Sequence, residues 1–405
     1  MHICLITNLP VWSLGKGKGA PSFYKTIKLY NDKGDRVTLV TTEQQLDLSE
    51  LENVTVIQLP KYKIIQNRAF AGALRLVHKY LIYILNQFSG LRYLNKYAMS
   101  ADVVYAYEIG FVPAVQVFCR KHKKPWVSRF QGTILTDLVQ PSSWWRKLRL
   151  RAQFLDHIIA LKAKSDLTIM TDDGTRGFDV LSSLRGLSIS LGDNIFFWKN
   201  GVDLPEMESV GIRQYQKNHS DGDIIFCSVS RVQQWKRLDR SLDIFEAFNA
   251  VYPFSHYYIV GEGAKLAEIK ALVDTKGLSK NVSFMGSLEQ RQIYKLLQDA
   301  KYFLSSYELS NLGNPLFEAI CCEAIVATLN NGSTEEIIID HQTGIISEED
   351  NYLENAKKLI VLEDNLESQK KLRRSALSHL AAKMDTWDAR MAKEYSQVIG
   401  IVNEP

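Results

Sequence analysis

Short apolar runs alternate with amphipathic stretches from the first residues of the chain. Ile3 to Thr7 is apolar enough for a buried strand, and a loop rich in glycine and lysine, Gly15 to Gly19, follows it. Phe23, Ile27, Leu29 and Tyr30 then share a helical face, Gly34 stops the helix, and Val37 to Val40 reads as the next strand. Strand, loop, helix and strand in this order are the pattern of a parallel βαβ unit. Val54 to Leu59, Val103 to Tyr107, Trp126 to Phe130 and Asp166 to Met170 continue the series. Together they predict a doubly wound sheet with helices on both faces.

A second series opens at Asp223. Strands are predicted over Ile224–Val229, Tyr257–Val260, Val282–Met285, Tyr302–Ser305 and Ile325–Leu329. Helical spacing falls between them, over Leu238–Phe248, Leu266–Lys276, Gln292–Leu297 and from about Pro315 to Cys322. Two α/β sheets therefore follow each other, joined by Lys199-Asn-Gly-Val-Asp203 and a polar stretch near Tyr215 to Asp223.

Charge divides the chain at the same place. Up to Asp203 there are 27 Lys+Arg against 16 Asp+Glu, a balance of +11, and from Leu204 onward 22 against 29, a balance of −7. A basic half and an acidic half suggest two domains with different partners. No apolar run reaches the ~18–20 residues of a bilayer span, and Met1-His2 leads straight into a strand pattern without the basic start of a signal peptide. Five cysteines, none in metal-ligand spacing, read as buried reduced thiols of a cytosolic protein. No His-x-x-His or Cys-x-x-Cys spacing points to zinc.

The basic excess is concentrated. From Asn53 to Ala101 there is no acidic residue, while Lys61, Lys63, Arg68, Arg75, Lys79, Arg92 and Lys96 are interleaved with Phe70, Leu74, Tyr80, Leu85, Phe88 and other apolar residues. A second basic cluster runs from Trp144 to Arg151. Cations on apolar, aromatic segments without carboxylates suit an anionic membrane surface, reached through residues 61–98 and 144–151. The competing reading is a buried helix with a solvated basic face. No RNA- or DNA-binding signature accompanies the charge, so nucleic acid is not an expected partner.

Candidate chemistry lies in the second half. Arg231 and Lys236 leave the carboxyl end of the strand Ile224–Val229, where open α/β sheets bind ligands, and two cations there can clamp a diphosphate. The competing reading is a solvated loop. Further on, Pro315 suits the first turn of a helix, with Asn314 as its cap and Glu318 one turn in. Free amides at that helix start, with Gly313 allowing close approach, make a phosphate site. Glu318 can then accept hydrogen bonds from ribose hydroxyls, or simply offset the helix dipole.

These segments resemble the second domain of retaining GT-B glycosyltransferases of the large group 1, family 4-like group. Arg231 with Lys236 resembles its diphosphate pair, Val260-Gly-Glu-Gly263 its loop beside the nucleotide, and Phe284-Met-Gly286 its strand and turn against the base. The segment ending in Glu318-Ala319 resembles its Glu-x7-Glu region, and Asn331 to Ile338 with Gly344 the following strand and loop. Lys199 to Asp203 resembles the interdomain connection, Gly15 to Gly19 the acceptor-side loop, and Trp387 to Tyr395 the final helix that crosses back to the first domain.

The resemblance implies an α/β protein of GT-B fold: two Rossmann-like doubly wound domains facing a cleft, at residues 1–203 and 204–380, with a returning helix at 381–405. It implies Arg231, Lys236 and Glu318 as catalytic residues. Gly263, Met285, Ser310, Asn311, Gly313, Asn314, Pro315, Leu316 and Thr334 would line the donor, and Gly17, Lys18, Gly19 and Gln131 the acceptor side. The implied reaction is metal-free and cofactor-free transfer of a hexosyl group, with retention, from a nucleotide sugar. Uridine diphosphate is the expected carrier, and a glycan or lipid-linked glycan the acceptor, at the inner face of a membrane. Two positions depart from the family. Ser310 stands where the first Glu of Glu-x7-Glu belongs, with Glu308 two positions away, and Gln131 stands where many members have His. The alternatives are a GT-B epimerase or hydrolase, or a catalytically weakened partner subunit.

Overall fold

The computed structural model of the protein describes residues 1–9, 21–43, 51–62, 72–139, 143–186, 194–202 and 224–403. Gly17, Lys18 and Gly19 lie outside the described residues, as do Lys63, Arg68, Phe70 and residues 203–223.

Two parallel sheets form two Rossmann-like domains. The first contains β1 (His2–Thr7), β2 (Arg36–Thr41), β3 (Val54–Gln58), β4 (Val103–Tyr107), β5 (Trp126–Phe130), β6 (Leu167–Thr171) and β7 (Ile195–Trp198), in the order β3-β2-β1-β4-β5-β6-β7. The second contains β8 (Ile224–Val229), β9 (Ser255–Val260), β10 (Val282–Gly286), β11 (Tyr302–Ser305), β12 (Ile325–Leu329) and β13 (Ile345–Ser347), in the order β10-β9-β8-β11-β12-β13. β1 and β4 are buried along their whole length, as continuous apolar runs must be when helices cover both faces of a sheet. In each sheet the strand order reverses beside the first strand, between β1 and β4 and between β8 and β11. Ligands bind outside the carboxyl ends at such a reversal.

The structure adds elements that the pattern did not predict. β7 is a half-buried strand of four residues, paired among the described residues with β6 alone, and β13 has only three. Residues Gly72–Tyr97 form one helix of 26 residues. Two helices, Glu354–Glu363 and Leu366–Lys383, follow β13. The sixth strand begins at Leu167, one residue later than expected, because the Asp166 carboxylate accepts from the Trp126 amide instead of joining the ladder.

The last helix, Trp387–Asn403, belongs to the core of the first domain. Its Val398 and Ile401 pack with Ile3, Leu5 and Tyr105. Glu394 lies between Arg129 of β5, at 3.4 Å, and Arg390, at 3.1 Å, and all three are at most 1% exposed. Arg129 also donates to the Phe130 carbonyl and the Thr171 hydroxyl, and the Arg390 guanidinium lies over the Trp198 ring. Removing Glu394 would leave two buried guanidiniums with no anion, the costly way to break a buried ion cluster. Where the helix begins, a Cβ on Gly201 would lie 2.4 Å from the Trp387 Cα, so only glycine lets the connection pass under the helix.

Candidate active site

The turn after β8 is built backbone on backbone. Ser230 N–H donates to Val260 and Val232 N–H to Glu262, which ties the Arg231 turn to the loop after β9. That loop comes close because of its glycines. A Cβ on Gly261, whose φ is +128°, would lie 1.9 Å from the Ser230 carbonyl oxygen, and one on Gly263 would lie 2.3 Å from that of Val232. Gly263 therefore positions Arg231 through packing.

Lys236 ends a short 3₁₀ turn, and its ammonium nitrogen stands 3.4 Å from the Tyr307 ring centre and 3.9 Å from that of Trp235. The two rings meet edge to face at 74°. Burial in this aromatic slot pushes the Lys236 amine down to about 6, helped by the Arg231 charge and opposed by Asp173 of the first domain. The neighbouring Arg237 has the opposite fate. It pairs with Asp239 at 2.8 Å and with Glu308 at 3.0 Å, so the carboxylate nearest the missing family glutamate is held by an arginine.

β11 leads into the segment that carries most of the predicted donor residues. Asn311 is fully buried and serves its own loop, accepting from the Ser305 hydroxyl and the Tyr307 amide and donating to Leu329 and Asn331. Thr334 likewise donates to the Asn331 carbonyl. The helix cap differs from expectation. Gly313 is the cap, in extended geometry, and the helix runs Asn314–Cys321 with Pro315 in its first turn. Asn314 does not cap because its side-chain oxygen accepts from Asn200 of the interdomain connection, at 3.3 Å. A Cβ on Gly313 would meet nothing nearer than Pro315 Cδ at 3.8 Å, so neither packing nor backbone requires glycine there. Leu316 is buried in the core, and Glu318, also buried, accepts from Gln290 at 2.7 Å. Met285, 39% exposed, is the penultimate residue of β10.

The facing rim of the first domain carries carboxylates that the sequence reading did not single out. Glu108 follows β4 with φ 65° and ψ −178°, a backbone region almost reserved for glycine, and its carboxylate accepts from the Gln131 amide. Burial pushes the Glu108 carboxyl up to about 7, against the pull of that amide and of Arg129. Asp173, after β6, is pushed up to about 6, again by burial, while Thr175 donates to it through both hydroxyl and amide. Gly132, with φ +104°, lies between these groups, and a Cβ there would come within 2.3 Å of the Asp173 carboxylate. Gln131 itself donates to the Ser22 and Tyr107 hydroxyls. Glu108 was legible only as a charge at a strand end, and Trp235 only as a neighbour of Lys236.

Both rims touch. The Ser310 hydroxyl donates to the Asp173 carbonyl at 2.7 Å, so the residue in place of the family glutamate joins the domains. A Cβ on Gly174 would lie 2.4 Å from Ser310 Oγ, and one on Gly332 would lie 2.7 Å from the Gly174 carbonyl. Lys199 bridges Asp172 at 3.2 Å and Glu336 at 2.6 Å.

Comparison with known proteins agrees with this architecture. The model of the family described as glycosyl transferases group 1 matches residues 212–379. An uncharacterized glycosyltransferase of Methanocaldococcus jannaschii is 24% identical over 201 residues, 49% of this chain and 50% of that protein. The chain thus aligns with only about half the length of this curated relative. Among solved structures, Anabaena HepE in complex with UDP and glucose superposes with a TM-score of 0.67 at 15% identity, covering 99% of each chain. WaaG, a glycosyltransferase involved in lipopolysaccharide biosynthesis, gives 0.68 at 15% identity, covering 98% of this chain and 99% of that one. On these findings residues 212–379 match the glycosyl transferases group 1 family, and the whole chain has the GT-B fold.

Proposed function

We propose that the protein is a retaining glycosyltransferase that needs no metal and moves a hexosyl group from a nucleotide diphosphate sugar to a glycan or lipid-linked glycan. The observation that carries this reading is the placing of Arg231 and Lys236 just after β8 at the strand reversal, with the Arg231 charge acting on the buried Lys236 amine. Diphosphate would bind between them. Its charge would return Lys236 to the ammonium form, with Trp235 and Tyr307 supporting the cation. Gly313 leaves room for close approach of phosphate to the helix amides. Glu318 would hold ribose hydroxyls, and Met285 would lie beside the base. HepE, whose complex contains UDP, supports uridine as that base.

The transfer would be a front-face substitution. The acceptor oxygen bonds to the anomeric carbon while the bond from that carbon to the phosphate oxygen breaks, its electron pair leaving with the phosphate. The acceptor proton passes to that leaving oxygen, and Arg231 and Lys236 stabilise the charge that develops there. Acceptor would enter from the first domain, past Gln131. The acceptor would lie at a membrane, where the basic residues within 61–98 and 144–151 would meet anionic lipid from the cytoplasmic side.

The test is release of nucleotide from a panel of nucleotide sugars, with and without a lipid-linked acceptor. Release that requires acceptor supports transfer, and Arg231→Ala or Lys236→Ala should then lower turnover by about 10²–10³-fold. Near-normal rates in both variants would remove the pair from the mechanism. One observation favours a second reading. Ser310 is engaged by Asp173 and Glu308 by Arg237, which leaves the usual sugar-reading carboxylate position without an acid. Tight nucleotide binding without turnover would make the chain a partner subunit.

A further inference from the structure

The helix Gly72–Tyr97 buries one side and leaves the other unusually apolar. Tyr80 donates to the Ala152 carbonyl and Lys79 pairs with Asp156, so these residues of the basic segment face the protein. On the outer side Leu74, Val77, Leu81, Ile84, Leu85 and Phe88 recur at helical spacing, each 46–70% exposed. This stripe is about 20 Å long at the rise of an α-helix. At its C-terminal end the same face turns basic, with Arg92 and Lys96 exposed. A groove of about 380 Å³ opens there between the helix and the chain leaving β3, lined by Tyr62, Leu85, Phe88, Arg92, Tyr93 and Lys96.

Apolar side chains along one face, cations at its end and no carboxylate anywhere between residues 53 and 101 are complementary to a surface that is oily inside and anionic at its edge. A second copy of the chain fits poorly, because a two-fold antiparallel contact would bring the Arg75 end of one stripe against the Arg92 and Lys96 end of the other with no acid to receive them. We propose that this stripe inserts into the interfacial layer of an anionic membrane. The groove then takes the phosphate head of one anionic lipid between Arg92 and Lys96, with the start of its chain against Leu85 and Phe88. The surface is thus narrower than the whole basic segment. The proposal deepens the acceptor-side reading above and rests on it only for its purpose, since lipid binding needs neither donor nor turnover.

Vesicle flotation of the full chain tests it, comparing phosphatidylcholine alone with phosphatidylcholine containing about one third phosphatidylglycerol. Binding is expected on the anionic vesicles, weakening with added salt. Arg92→Gln with Lys96→Gln should reduce it about tenfold or more, and Leu85→Glu with Phe88→Glu should abolish it. All four side chains line an exposed groove, so both double variants should keep the wild-type melting temperature and nucleotide affinity. Equal binding to both vesicles, no binding to either, or undiminished binding of the Leu85/Phe88 variant would each overturn the proposal. A dimer in solution that the Leu85/Phe88 variant disperses would assign the stripe to a second copy instead. Loss of nucleotide binding with vesicle binding intact would strike the glycosyltransferase reading and leave this one standing.

Discussion

The two rims of the cleft carry charges opposite to the domains that bear them. The first domain is strongly basic in sequence, yet its strand ends present Glu108, Asp172 and Asp173. The second is acidic, yet its strand ends present Arg231 and Lys236. Net charge follows the outer surfaces, where solvent or a partner decides composition. The rims follow the chemistry of the cleft, where a few groups outweigh the count. Both sides also hold their key groups away from their ordinary ionisation. Burial lifts Glu108 and Asp173, and burial lowers Lys236. Each would regain its charged form most readily when an opposite charge enters the cleft.

The largest effect is expected on the cationic side. Arg231→Glu should lower nucleotide-sugar turnover by about three orders of magnitude or more, beyond the loss from Arg231→Ala, because it adds repulsion to the lost stabilisation. A kcat/KM equal to that of the alanine variant would show that the rim charge does not act on the diphosphate.

On the carboxylate side the expected effect is on stability. The Glu108 carboxyl sits at about 7 in the folded protein against an ordinary value of 4.5, so the folded state holds its proton longer than the unfolded one. Its contribution is therefore intact below the ordinary value and is lost as pH rises from there to about 7. Glu108→Gln keeps an oxygen for the Gln131 amide and removes the titration. Across that window the wild type should lose up to about 3 kcal/mol relative to the variant. Parallel pH profiles in denaturant melts would place the Glu108 carboxyl in a solvated setting.

A smaller effect is expected where the glycine loop supports the cationic rim. Gly261→Ala meets both a positive φ and the Ser230 carbonyl, and should cost roughly 1–3 kcal/mol in stability, with weaker nucleotide binding because Arg231 moves. Wild-type stability and affinity together would separate that loop from the site. Smallest of all, Ser310→Ala removes one hydrogen bond between the rims and should cost about 1 kcal/mol, read in thermal melts. A change of turnover larger than that would give Ser310 a role toward the sugar.

The second domain was the more legible of the two because its site is local. Strand, cation and glycine follow one another within the segments 224–239 and 302–318, so spacing along the chain already describes the rim. The first domain's site is assembled by tertiary structure. Glu108 matters through a positive φ and an amide of Gln131, and the Arg129–Glu394–Arg390 cluster joins residues far apart in sequence. Asn314 looked like a helix cap by type, and lost that place to a contact with Asn200. The helix Gly72–Tyr97 is apolar on both sides, which blurs the period that would mark its ends. β7 and β13 are too short and too peripheral to stand out from their flanks.

In the proposed mechanism Lys236, neutral in the empty cleft, becomes the cation that holds the donor diphosphate. Calorimetric titration of the protein with a nucleotide sugar across pH tests it directly. With the free amine at about 6, binding above that pH should take up a proton. Affinity should accordingly fall as pH rises, by at most about tenfold per unit, and Lys236→Met should bind more weakly with no such slope. Affinity that is flat with pH and unchanged in Lys236→Met would contradict the account.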